Sequence, residues 1–275
     1  MLIALTAILF ILIFIICGDK GTKSIISTVM NAVLLLLAIF LIYRNFNPML
    51  VTIACCVMIS VVTLFYQNEV NIKSKVAFLS VLVVIIVVIP LIYFMAYGAN
   101  AAGFNPEEYE ITDSNGYTRN IDVSMLALQI SIMLIALMGT VIDTAVAITS
   151  SIYEIRSNNK DLSLQDLMKS SFKVSKAVLS TSIHTIFYIY IAEYMTLLIQ
   201  YMTDYSLSYI INSQSFAREL ISVSISGIGC CLVVPVATVA GAVLIIRQGQ
   251  IRVKGGVKAK LKSDASVKSK SKLRP

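Results

Sequence analysis

The 275-residue sequence predicts an all-α polytopic membrane protein, a transmembrane helix bundle of about seven spans with its N-terminus outside and its C-terminus in the cytoplasm. Three observations predict it. The chain is 57% hydrophobic and only 13% charged, about half the charged share of a soluble domain. Its mean hydropathy is +0.84. Its apolar runs repeatedly reach the roughly 17 to 25 residues that cross a hydrocarbon core.

Seven runs fit, at about 2–17, 25–42, 48–66, 76–97, 123–155, 174–200 and 220–246. The first, "MLIALTAILFILIFIIC", lacks a basic n-region and a small-residue cleavage site, so it reads as a retained helix. With the C-terminus inside, nineteen Lys and Arg fall on cytoplasmic segments and three (Arg44, Arg119, Arg218) outside. That asymmetry sets the orientation. The 98–122 segment becomes an extracellular loop rich in acids (Glu107, Glu108, Glu110, Asp113, Asp122), and residues 1–246 form the helix bundle.

Two cytoplasmic segments carry further pattern. In 156–175, Leu164, Leu167, Met168 and Phe172 share one helical face, and Ser163 with Asp166 resembles a capping box. Such a helix either lies along the headgroups, with Lys169 and Lys173 on lipid phosphates, or simply connects two spans. The tail 247–275 holds ten basic residues and few apolar ones, which predicts a disordered polybasic segment. It serves as a topology anchor or as a docking surface for anionic lipid headgroups. Nothing folded or aromatic accompanies the charge, so nucleic acid is not an expected partner.

Two spans look interrupted. The fifth, 123–155, would measure about 50 Å as a straight helix, against a core of about 30 Å, so it either tilts and projects into the cytoplasm or breaks, near Gly139-Thr140. Ala136, Gly139, Asp143, Ala147 and Ser150 share one face, which small residues predict to be inward, with Asp143 packed against protein or lining a cavity. The seventh span carries Gly227, Gly229, Gly241 and Pro235, a second candidate break.

Within "MGTVIDTAVAITSSIYEI" (138–155), Asp143 is the residue a bilayer tolerates least. Intramembrane ionisable groups are functional candidates by default. A desolvated carboxyl suits proton handling, because its charge can change near neutral pH. The alternative is a protonated acid hydrogen-bonded within the packing. His184, the sole histidine, is expected at the depth of Asp143, as an exchange partner or as a packing residue. Glu193 falls near the outer interface among Tyr190, Tyr194 and Tyr201, where a snorkelled role is expected. The five cysteines suit neither a disulfide framework nor a metal knuckle, and no metal or cofactor is expected. No Gly-x-Ser-x-Gly elbow or facing pair of aspartates is present, so no enzyme is predicted.

"GTVIDTAVAITSSIYEI" resembles the signature of the YibE/F family of bacterial membrane proteins, a Gly and an Asp before a small-residue run with an acidic end. "ARELISVSISGIGCCLVVPVATVAGAVL" resembles that family's final span. The likeness covers roughly 123–246, while the first four spans share only the family's character. The chain is most similar to the shorter, YibF-like type. His184-Thr185-Ile186 stands where members commonly show Asn-Thr-Leu, so the resemblance does not extend to His184. It implies a multi-pass protein of the bacterial plasma membrane. With it, the leading expectation is a transport or translocation subunit, partnered by a second YibE/F-type subunit or by its own copies, in which the buried acid Asp143 handles protons or cations. The alternative is a non-transporting scaffold or assembly factor acting through the amphipathic and basic segments.

Overall fold

The computed structural model describes residues 1–68, 70–98, 110–112, 118–120, 123–159 and 162–271. Side chains are described for these residues except 2–3, 110–112, 118–120, 196–197, 200–201, 204, 214–215 and those beyond 247. Helix α1 is Leu2–Tyr43 and α2 is Pro48–Val61, continued by a π-helical segment, Val62–Gln67. Helix α3 is Ile72–Gly98. Two three-residue strands, Glu110–Thr112 (β1) and Thr118–Asn120 (β2), pair antiparallel with Ile111 opposite Arg119. Then come α4 (Met125–Asn158), α5 (Leu164–Asp204), the short α6 (Leu207–Ile211) and α7 (Gln214–Ser271). Most of the 98–122 loop lies outside the described residues.

Local chemistry starts these helices. Asn47 Oδ1 accepts from the backbone N–H of Met49 at 3.0 Å, and Pro48 follows at the first helical position, where its missing N–H costs nothing. Ser124 Oγ accepts from Ala127 N–H to begin α4. Ser163 and Asp166 form the expected capping contact. Asp166 N–H donates to Ser163 Oγ at 3.2 Å, and the Ser163 hydroxyl donates to Asp166 Oδ2 at 2.6 Å.

Five described helical stretches are long and apolar enough to cross a membrane, against the seven expected: Ala4–Tyr43, Pro48–Gln67, Ile72–Gly98, Met125–Asn158 and Phe216–Arg247. The first two expected spans form one helical element bent at Gly18 (φ 54°, ψ −133°). That conformation belongs to the first central residue of a type II′ turn and favours glycine. The bend is sharp, because a Cβ on Gly21 would lie 2.6 Å from the Ile13 carbonyl oxygen. The expected sixth span lies within α5 and includes residues whose side chains fall outside the described set.

The fifth and seventh spans are continuous helices, contrary to the expected interruptions. At 139–140 the Thr140 hydroxyl turns back to the Leu137 carbonyl at 2.9 Å, and Thr144 does the same to Thr140 at 2.7 Å. Helix α7 passes through Pro235 without a non-helical residue. The basic tail, expected to lack regular structure, continues the α7 backbone to Ser271.

Helix α4 lies at the centre, packed by α2, α3, α5 and α7. Its Leu134, Leu137, Ile148 and Ile152 meet Val84, Val88 and Ile92 of α3 and Ile225 and Val233 of α7 in one buried cluster. The apolar face of 164–172 packs on this bundle, with Leu167 fully buried and Met168 and Phe172 against the core. It is therefore the first turns of α5, not a helix lying on headgroups. The outward surface is largely apolar, as at Leu36, Ile86, Phe94 and Ile189, the surface a lipid environment covers.

Two glycines of α7 set its distance from α4. A Cβ on Gly229 would collide with Leu137 and lie 3.2 Å from Val141 Cγ2, and one on Gly241 would lie 2.8 Å from Ile152 Cδ1. Around Gly227 there is nothing within 4 Å. Gly229→Val should therefore destabilise the fold by about 1–3 kcal/mol through overpacking. Gly227→Ala should be neutral or stabilising by up to about 1 kcal/mol. Unfolding in mixed micelles with increasing denaturing detergent checks the pair, and equal effects would contradict the packing.

Candidate functional site around Asp143

Buried and open positions alternate around α4 with the helical repeat. Ile132, Gly139, Asp143 and Glu154 are exposed, and Ala136, Ala147 and Ser150 are half-buried on the same side. This is the small-residue face that the sequence predicts to be inward. Within this chain it is the side of α4 left partly open, and its Ser150 lines a cavity. Gly139 has nothing within 4 Å of where a Cβ would stand. The interior is filled instead by the large residues of the opposite face, which fit against the glycines of α7.

Beside the open stripe runs a polar seam. Thr144 Oγ1 lies 3.2 Å from Ser182 Oγ of α5 and 3.6 Å from Cys230 Sγ of α7. Ser175 meets Thr238 at 3.2 Å, and Tyr190 meets Ser222 at 3.2 Å. A forward step from Ser175 to Tyr190 along α5 is matched by a step back from Thr238 to Ser222 along α7 that is one residue longer, so the two helices run antiparallel. Small hydroxyls permit close approach, and each such interhelical bond contributes about 0.6 kcal/mol on average.

The seam fixes where His184 goes. Thr144 and Ser182 are in contact, so Asp143 and His184 lie at nearly the same level, as expected. Two residues along a helix rotate a side chain by about 200°, so His184 faces away from the contact made by Ser182. It is exposed and stacks on Tyr188, with centroids 6.3 Å apart and planes 19° apart. No hydrogen bond or ion pair joins it to Asp143 among the described residues. Glu193 is also exposed.

Sequence reasoning missed two features. At one end, Arg218 is 8% exposed and its Nε donates to Glu219 Oε1 at 3.0 Å. The Tyr194 hydroxyl of α5 lies near Glu219. The adjacent opposite charges just before an apolar run were the signal for this cluster. At the other end, a half-open cavity of about 320 Å³ is lined by Lys20, Gln67, Lys73, Val146 and Ser150, among others. Val146 and Ser150 are the next positions below Asp143 on the same side of α4, with Ser150 about 10 Å away along the axis. Nothing in the local sequence signals this cavity, because its walls come from three separated stretches of chain. Among the described residues no group of three or more His, Cys, Asp or Glu side chains stands where it could hold a metal ion.

A family model described as YibE/F-like protein matches residues 5–247. The chain belongs to the YibE/F-like family. The match takes in the whole helical bundle, including the first four expected spans, which resemble the family only in character when read by eye. No curated protein and no solved structure matches the chain. Family membership and five long apolar helices together make this a membrane protein.

The seam geometry has a direct check. In a cysteine-free background, cysteines at Thr144 and Ser182 should form a disulfide under mild oxidation in membranes, while cysteines at Asp143 and His184 should not. Efficient cross-linking of the second pair would overturn the placement of His184.

Proposed function

We propose that this protein is a transport or translocation subunit of the bacterial plasma membrane in which Asp143 handles a proton or cation. One observation carries the proposal. Asp143 sits on the stripe of α4 left open by the chain's own packing, and that stripe runs down through Val146 and Ser150 into a polar cavity. A carboxylate at mid-membrane costs about 2.5 to 3.5 kcal/mol on the insertion scale, so a bare packing role would be expensive. Access to water or to a partner subunit lowers that cost.

The same reading has both arms of α1 crossing the bilayer around Gly18, and α5 crossing beside α7, for seven passages with the C-terminus in the cytoplasm. The sharp bend at Gly18 supports the first point. The seam from Ser175 to Tyr190, about 22 Å of antiparallel contact, supports the second. The distribution of Lys and Arg supports the orientation. The empty space beside Gly139 favours a second YibE/F-type subunit or a second copy against the open stripe, and a scaffold role would use the same face.

Proteoliposomes with an entrapped pH indicator separate transport from scaffolding. An imposed membrane potential should drive an internal pH change or a cation flux through the wild-type protein. Asp143→Asn imitates the protonated acid, so it should leave folding intact and reduce that flux to the level of empty vesicles. His184→Asn should be much milder. Undiminished, equally pH-dependent flux in the Asn variant would defeat the proposal.

A further inference from the structure

The cavity at the foot of α4 has a chemistry of its own. Among the described residues ten line it, of which eight are polar and none is acidic. Four elements meet there: α1 just past its bend (Lys20), the end of the π-helical segment (Gln67), the start of α3 (Asn71, Lys73) and α4 (Ser150). Lys20 and Lys73 thus both line one small space. Among the described residues neither is paired with a carboxylate.

The walls are held in place. Lys73 Nζ sits 4.5 Å from the centroid of the Tyr153 ring, a cation–π contact that fixes the ammonium between α3 and α4. Gln67 Nε2 donates to Ser24 Oγ at 3.2 Å, which ties the π-helical segment to α1. Asn71 Oδ1 accepts from Ser74 N–H at 3.0 Å and caps α3, so the positive end of that helix dipole opens on the same space. Among the described residues that line the cavity, the charged side chains are Lys20 and Lys73.

We propose that this cavity binds a phosphate-type anion, carried either by a lipid headgroup or by a free phosphate. Two like charges held together need a counter-ion, and lysine is a point-charge partner for phosphate oxygens. Amide and hydroxyl groups complete a donor set suited to a tetrahedral oxyanion. A volume of about 320 Å³ stands at the lower end of small-ligand pockets, roughly 300 to 1,000 Å³. The site does not depend on proton handling at Asp143, and its test reads binding, not flux.

The full chain, purified in neutral detergent, is titrated with inorganic phosphate by calorimetry. In parallel it is reconstituted in nanodiscs of phosphatidylcholine with a minor share of phosphatidylglycerol, and the retained lipid is counted by mass spectrometry. Lys20→Gln and Lys73→Gln should each weaken binding on the order of tenfold, and the Lys20→Arg, Lys73→Arg double variant should retain it. Phosphate binding that falls in the Gln variants identifies a free anion. Phosphatidylglycerol retention that falls in them, with no phosphate binding, identifies a lipid headgroup. Lys20 is exposed, so its Gln variant keeps the fold and serves as the deciding case. Binding of both ligands that is absent, or equal in wild type and Gln variants, overturns the proposal.

Discussion

The close approach of α7 to α4 at Gly229 and Gly241 is the constraint on which the rest of the arrangement depends. Leu137, Val141 and Ile152 occupy the space that two side chains would otherwise take. Apolar burial drives little association between helices already in lipid, so shape fit and dispersion carry the contact. Once these three residues are locked against α7, the rotation of α4 is set. Asp143 then has no course but to face the opposite, open side.

The same rotation organises the polar groups. Thr144, one position beyond Asp143, turns into the seam with Ser182 and Cys230, where each hydroxyl finds a partner. Asp143 finds none within the described chain and lies above a cavity ringed by lysines and amides. One helix therefore carries a satisfied polar line and an unsatisfied one side by side. The first holds the bundle together, and the second is where chemistry is free to occur.

Much of this was legible in sequence. Composition and apolar run length gave the class, the Ser163-Asp166 cap was visible from spacing, and the level of Asp143 against His184 followed from counting along antiparallel helices. The side each residue faces was not legible. Small residues do mark close approaches in membranes, but here the glycines that serve are on α7, and the matching positions on α4 are large. His184 missed Asp143 by two residues of rotation, which depth counting cannot see. The amphipathic pattern at 164–172 was real, yet an apolar stripe reads the same whether lipid or protein covers it. The expected helix breaks are absent: α4 runs unbroken through Gly139 and Thr140, and Pro235 sits inside a continuous α7.

The central claim, that the Asp143 side of α4 meets water through the lysine-lined cavity, is tested most directly by scanning that helix with single cysteines in native membranes. A small water-soluble thiol reagent with access to the cytoplasmic side should modify Ser150→Cys fastest, Ala147→Cys more slowly and Asp143→Cys detectably. Leu137→Cys, Val141→Cys and Ala145→Cys should remain unmodified. Protection of all three stripe positions, or reaction at the three core positions, would contradict the account.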